Sequence, residues 1–163
     1  MCKVRIYLTN LARYNSGELF GKWIDLPMED DDLKQAIKDV LGSDEEFFIT
    51  DYEAPFSIGE YENIQELNDF ARQLQDLDEH EQEKVTYLLE VIGCNREEAI
   101  KQYEDVIFYP EMTLKEVAEE LVEEGCFGNL SDNIKGYLDY ESIGRDLGFD
   151  GYHETEKGTF WYC

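Results

Sequence analysis

Along the first sixty residues, the spacing of apolar and polar positions predicts a small α/β unit. Apolar and polar side chains alternate at residues 4–8, which predicts a half-buried strand, and residues 21–26 and 47–52 predict two more strands. Residues 29–42 have apolar positions at helical spacing, an acidic start and a final glycine, which predicts a helix. Residues 1–61 are therefore predicted to form an N-terminal α/β domain with a three-stranded sheet.

The following residues, 62–103, contain neither proline nor strand-like alternation, and they predict a helical domain. Gly93 is expected to end one of its helices and Asn95 to cap the next. Apolar side chains recur along two helix faces, the first formed by Ile64, Leu67, Ala71 and Leu74 and the second by Val85, Leu88, Leu89 and Ile92.

Residues 104–163 return to a mixed pattern and predict a C-terminal α/β domain. A strand is predicted at 106–109, and a helix follows Thr113, which can form a capping box with Glu116. One or two short helices are predicted within 132–147, and a hairpin ends the chain. The predicted fold class is α+β, as an elongated chain of three small domains.

The charge of the sequence narrows the possible partners. Its 39 Asp and Glu outnumber 14 Lys and Arg, which gives a formal net charge of −25 over 163 residues. Direct binding of nucleic acid is nearly excluded and an anionic membrane is disfavoured, because so few cations cannot form a basic patch. Acids outnumber bases by 13 to 6 in residues 1–61, 11 to 4 in 62–103 and 15 to 4 in 104–163. Mutual repulsion among these excess negative charges favours an elongated body over a compact sphere.

Motifs of catalysis and cofactor binding are not found. His80 and His153 lie in no zinc-binding spacing, and no phosphate-binding glycine motif or nucleophile motif occurs. The aspartates at 30–32 lack the spacing of a calcium loop and also fit a helix N-terminus, where carboxylates meet the positive end of the dipole. We therefore expect neither an enzyme nor a bound cofactor. An enzyme that depends on calcium or magnesium and uses clustered carboxylates is kept as a further hypothesis.

Cysteine usage and hydropathy predict the compartment. The four cysteines, Cys2, Cys94, Cys126 and Cys163, form no CxxC pair, which indicates reduced thiols. The N-terminal residues lack the apolar stretch of a secretory signal, and the longest wholly apolar run is about four residues. We expect a cytoplasmic protein.

The predicted helix after Thr113 has five Glu and one Lys on its surface, so its like charges lack the usual i, i+4 partners. Solvation alone explains one such helix, but the same excess in all three predicted domains indicates a functional surface. A charge of −25 equals that of roughly 42 Å of DNA duplex at ~1.7 Å per charge, which suggests imitation of DNA. The acids assigned to this surface are Glu29, Asp30, Asp31, Asp32, Asp44, Glu45, Asp76, Asp78, Glu79, Glu83, Glu97, Glu98, Glu116, Glu119, Glu120, Glu123 and Glu124.

Three blocks of the sequence resemble the ArdA antirestriction family. The first covers residues 6–23 and contains YNSGEL, and the second is DYEAPF at 51–56. The third block is the most specific, with YLDYE at 137–141 and GRDL at 144–147. Residues 62–103 match the family in helical and acidic character rather than in identities.

The resemblance implies a protein of mobile genetic elements that inhibits type I restriction-modification enzymes as a DNA mimic. It also implies an elongated homodimer of three-domain subunits, with the dimer contact in the C-terminal domain. This places Tyr137, Asp139, Tyr140, Arg145 and Asp146 at or near the contact. Two interpretations of the block stay open, because its apolar residues at helical spacing also fit a core. An acidic binding module for another basic partner, such as a transcriptional regulator, is the alternative function.

Overall fold

The computed structural model describes residues 2–163 as a mixed α+β chain with two three-stranded antiparallel sheets and eight helices. In the first sheet, β1 (Val4–Asn10) lies between β2 (Gly21–Leu26) and β3 (Phe47–Glu53). Two helices belong to this part, α1 (Leu11–Asn15) and α2 (Asp30–Leu41). The three predicted strands and the predicted helix are confirmed within about two residues at each end.

Helix α1 is absent from the sequence prediction, because it is short and starts from a local cap rather than from a periodic apolar face. The side-chain oxygen of Asn10 accepts the Arg13 N–H at 3.0 Å. The Asn10 amide also donates to the carbonyl of Val40 at 3.1 Å, and Asn10 is fully buried. This asparagine therefore joins the end of β1 to the end of α2.

The middle part is helical, as predicted. It contains α3 (Ile64–Gln75), α4 (Glu79–Tyr87) and α5 (Arg96–Gln102). A π-helical turn, Leu88–Ile92, continues α4, and a 3₁₀ turn, Tyr103–Asp105, follows α5.

The second predicted apolar face is right at Val85 and Leu88, which are fully buried, and wrong at Ile92, which is 38% exposed. The π-turn explains the difference. The Leu88 carbonyl accepts the N–H groups of both Gly93 and Cys94 at 2.9 Å, so the chain advances by more than one α-helical turn and carries Ile92 out of the buried face. Gly93 ends the turn in a left-handed conformation, as predicted.

The C-terminal part contains the second sheet, in which β6 (Gly158–Trp161) pairs with both β4 (Ile107–Pro110) and β5 (Tyr152–Thr155). The strand predicted at 106–109 is found one residue later, at Ile107–Pro110, and Pro110 pairs with Gly158 at the end of an edge strand, where proline is tolerated. Two helices form where one or two short ones are predicted within 132–147, and the second continues beyond this range to Phe149. The elements of this part are β4 (Ile107–Pro110), α6 (Leu114–Glu123), α7 (Asp132–Lys135), α8 (Tyr140–Phe149), β5 (Tyr152–Thr155) and β6 (Gly158–Trp161).

One buried cluster runs from the first sheet through the middle helices to Phe160 of β6. The Phe160 ring stacks on Tyr87 of α4 with centroids 4.6 Å apart, and the Tyr87 hydroxyl is 2.7 Å from His153 Nδ1. Burial raises the pKa of Tyr87 to about 12. A separate small cluster lies between α6 and α8. The division into three domains stays a prediction, and both of its boundaries are crossed by continuous packing.

The accessible surface of the structure is 10004 Å², compared with about 8400 Å² for a compact monomer of this mass. The excess is in the direction expected for a body that departs from a sphere. In residues 2–163, no helix has the length and apolar character needed to cross a membrane.

Candidate functional site

The acidic side chains lie on the surface of every part of the molecule. None is buried, and all are exposed except Asp44, Glu62, Glu81 and Glu83, which are half-buried. A carboxylate keeps its charge cheaply only in contact with water or a partner, so this distribution leaves the charge available for binding.

The acidic run before α2 occupies the helix N-terminus, as the sequence predicts. Glu29 is the N-cap residue, without a side-chain capping bond, and Asp30, Asp31 and Asp32 form the first turn. A hydrogen bond from Gln65 and the nearby guanidinium of Arg72 lower the pKa of Asp30. The same carboxylates therefore stabilise the helix and face solvent.

Asp44 and Glu45 follow α2 and have different roles. Asp44 is half-buried and accepts a hydrogen bond from the Asn10 amide at 2.9 Å, which helps to fix the loop between α2 and β3. Glu45 is exposed. Of these two predicted surface acids, Asp44 therefore has a structural contact and Glu45 only faces solvent.

The acids between α3 and α5 cap helices as well as carry charge. Asp78 and Glu81 form a reciprocal capping box at the start of α4, and Asn95 and Glu98 form another at the start of α5. Asp76 and Glu79 are exposed, as is Glu97. A hydrogen bond from Lys101 lowers the pKa of Glu97.

Helix α6 has the amphipathic pattern that the sequence predicts. Thr113 Oγ1 caps it by accepting the Glu116 N–H at 3.2 Å. The predicted capping box is only half formed, since the Glu116 carboxylate accepts the Thr113 hydroxyl at 3.1 Å instead of a backbone group. The buried face is formed by Val117, Ala118, Leu121 and Val122, and the exposed face by Glu116, Glu119, Glu120, Glu123 and Glu124.

Few of the predicted surface acids have a basic neighbour. The described chain pairs four of them, as Asp30–Arg72 at 3.5 Å, Glu83–Lys157 at 3.9 Å, Glu97–Lys101 at 2.6 Å and Glu123–Lys135 at 3.4 Å. Within residues 2–163, no three His, Cys, Asp or Glu side chains are arranged to hold a metal ion. The described carboxylates are therefore spread out rather than gathered into one centre.

The C-terminal motif combines a structural residue with exposed ones. Asp139 caps α8, accepting the Ser142 N–H at 3.1 Å and its hydroxyl at 2.6 Å, which lower the pKa of Asp139. Tyr140 is half-buried and donates to the Lys135 carbonyl at 3.3 Å. Arg145 and Asp146 are exposed neighbours 3.8 Å apart.

The core interpretation of this motif holds for Leu147, which is 7% exposed, and fails for Tyr137, which is 90% exposed. Three further apolar side chains after α6 are exposed that the sequence prediction did not single out. They are Phe127, Ile134 and Phe149, exposed by 49%, 51% and 82%. Their sequence signal is weak, because Phe127 lies in a turn, Ile134 in the four-residue α7, and Phe149 at the end of α8, outside the apolar face formed by Tyr140, Ile143 and Leu147.

A groove on the middle part was also missed. It has a volume of about 720 Å³ and an apolar floor that includes Phe56 and Phe70, with acidic residues around it. Glu66, Asp69 and Glu90 of this rim are not among the predicted surface acids. The exposed acidic face of α3 could have indicated Glu66 and Asp69, whereas Glu90 lies in the π-turn and had no such signal.

A comparison with models of protein families agrees with the resemblance seen in the three sequence blocks. No relative among curated proteins matches the chain. The family model of the antirestriction protein ArdA matches residues 6–161 and so covers the first sheet, the middle helices, the acidic helix α6 and the terminal hairpin. Because this match spans almost the whole sequence, the chain belongs to the ArdA antirestriction family.

Proposed function

We propose that this protein inhibits type I restriction-modification enzymes as a DNA mimic, by occupying the groove in which the enzyme binds DNA. ArdA is a family of inhibitors rather than of enzymes, and membership implies an antirestriction function. One observation carries the mimicry: the acids are exposed from α2 to α6, and most have no basic partner among the described residues.

The charge density suits this role. Carboxylates one helical turn apart are about 6 Å from each other along the axis, which is close to the phosphate spacing of a strand. The net charge of −25 corresponds to roughly 42 Å of duplex. A DNA-binding groove would gain from such a body the electrostatic attraction that it normally gains from phosphates.

A homodimer would double the length of the mimic. We place its contact at the C-terminal part, at or near Tyr137, Asp139, Tyr140, Arg145 and Asp146. The exposure of Tyr137 and Phe149 supports this, because a lone chain leaves both rings in water. Two copies carry the charge of on the order of 80 Å of duplex.

Sedimentation velocity tests the dimer. We expect the wild-type chain to sediment as a dimer and the variant Tyr137→Asp/Phe149→Asp as a folded monomer. A wild-type chain that stays monomeric at all accessible concentrations would contradict the dimer.

Neutralising acids tests the mimicry. The variant Glu119→Gln/Glu120→Gln/Glu124→Gln removes three charges of α6 that take part in no ion pair among the described residues. We expect it to inhibit a type I enzyme several-fold less well at low salt, and the single variant Glu119→Gln to stay within about twofold of wild type. Equal inhibition by the triple variant, or loss of inhibition in the single one, would argue against a distributed electrostatic surface.

A further inference from the structure

The groove on the middle part has an apolar floor and a rim that carries acidic side chains. Its floor includes Phe56 and Phe70, both 4% exposed, with ring centroids 5.3 Å apart in an edge-to-face arrangement. Its rim includes Glu66, Asp69 and Glu90. The volume of about 720 Å³ is within the ~300–1,000 Å³ typical of ligand sites, and it exceeds the volume of one side chain.

The rim is fixed by the fold rather than left flexible. The π-turn carries Leu89 and Glu90 to the groove, and π-turns within helices are frequent at functional sites. The Glu90 carboxylate accepts the Ser57 N–H at 2.6 Å, so it is tied to the loop after β3. Such preorganisation lowers the cost of binding.

The acidic side chains around the groove favour a positively charged ligand. Two cations line it, Arg96 and Lys101, and each is already paired with a carboxylate, Arg96 with Glu62 at 2.9 Å and Lys101 with Glu97 at 2.6 Å. Arg96 also lies over the two phenylalanine rings, at 5.5 and 5.7 Å, so its guanidinium covers part of the floor. Glu66 has no ion pair with a described residue, so the rim keeps negative charge to offer.

We propose that this groove receives a short basic segment of the protein partner, with the stems of its Arg or Lys side chains against the half-buried Leu89 and Ile100 of the lining and their charges at the acidic rim. The inference rests on the proposed function, because it takes the partner to be a DNA-binding enzyme. It adds a contact that DNA does not offer: a desolvated apolar anchor beside the electrostatic surface. Binding through this anchor depends less on salt than binding through exposed carboxylates.

Cys94 provides the test, because it lines the groove and is half-buried. The variant Cys2→Ser/Cys126→Ser/Cys163→Ser keeps this thiol alone, and N-ethylmaleimide then adds an uncharged group inside the groove. The matched control, Cys2→Ser/Cys94→Ser/Cys163→Ser, keeps the exposed Cys126 and receives the same label outside the groove. Circular dichroism of each labelled protein checks that the fold is retained.

We expect labelling at Cys94 to weaken binding to a type I restriction-modification enzyme by about tenfold or more, and labelling at Cys126 to leave it unchanged. Bound enzyme should also protect Cys94 from alkylation. If the folded, Cys94-labelled protein binds as tightly as the unlabelled one, the groove is not a contact and the inference is overturned. If the unlabelled protein itself fails to bind, the proposed function fails instead.

Discussion

Glu62 and Arg96 form an ion pair with a structural role in a chain whose acids mostly face water. Arg96 donates to both Glu62 carboxylate oxygens, at 2.9 and 3.0 Å, and to the Ser57 carbonyl at 3.2 Å. Both charged side chains are only about a quarter exposed, at 26% and 24%. The guanidinium holds the pKa of Glu62 below its ordinary value.

The substitution Glu62→Gln removes this charge-assisted pair. We expect a free energy of unfolding lower by about 1 kcal/mol at pH 7, measured by urea denaturation. Because the folded-state pKa of Glu62 is lowered, the contribution is present above the ordinary value and is lost as the pH falls through the lowered one. The difference between variant and wild type should therefore shrink in acid.

Glu66→Gln is the matched control, because Glu66 is exposed and unpaired among the described residues of the same part. It should change the free energy of unfolding by no more than about 0.5 kcal/mol. Equal effects of the two substitutions, or a Glu62→Gln effect that persists in acid, would refute the structural role of the pair.

Some contacts between residues that are close in the sequence were predictable from it, and contacts between residues far apart in the sequence were not. Asn95 and Thr113 were identified as helix caps because the cap and its partner are three residues apart. Glu62 and Arg96 are 34 residues apart, and Asn10 meets Asp44 over the same separation, so only the fold brings them together.

At the scale of elements, the backbones of α6 and α8 lie close together at Gly144 of the GRDL motif. A Cβ atom at this position would lie 2.9 Å from the Leu114 carbonyl carbon and 3.0 Å from its oxygen. These are backbone atoms, which cannot turn aside as a side chain can. The glycine of the motif therefore serves the contact between the two helices.

The substitution Gly144→Ala should force the two helices apart. We expect a loss of about 1–3 kcal/mol in the free energy of unfolding. Gly148→Ala is the control on the same helix, because its Cβ would meet only the Leu114 side chain at 3.5 Å. It should be neutral or stabilising by up to about 1 kcal/mol, since alanine favours helix over glycine. Thermal unfolding of both variants measures this, and equal losses would contradict the account.

Elements with a repeated apolar spacing were predicted well, as α2, α3 and α6 show. Helix α1 and the π-turn were not, for physical reasons. A five-residue helix has no periodicity to detect, and the π-turn depends on how Leu88 packs rather than on any local residue preference.

At the scale of the whole molecule, the negative charge opposes folding as well as providing the proposed function. Mutual repulsion among carboxylates is screened by salt, and the Debye length falls from about 10 Å at 0.1 M to about 3 Å at 1 M. We therefore expect the unfolding temperature to rise between these concentrations of NaCl. The substitutions Lys34→Gln and Lys38→Gln, at exposed residues of α2, should enlarge that rise, because they remove two positive charges and increase the repulsion. A constant unfolding temperature would contradict the repulsion.

The acidic surface could be predicted from the sequence, because exposed acids need no tertiary partner. The groove could not, since Phe56, Phe70 and Glu90 come from three separate segments. The apolar exposure of Tyr137 and Phe149 was likewise hidden, because their hydrophobic character favours burial in a chain considered alone.

The central claim is that this acidic surface and DNA occupy the same site of a type I restriction-modification enzyme. The direct measurement is the binding of labelled duplex DNA to the purified enzyme at increasing concentrations of this protein, repeated at several salt concentrations. If the protein mimics DNA, it will displace the labelled duplex, excess DNA will reverse the effect, and the protein's affinity will fall as salt rises. An enzyme inhibited while its DNA stays bound, or an affinity independent of salt, would contradict the claim.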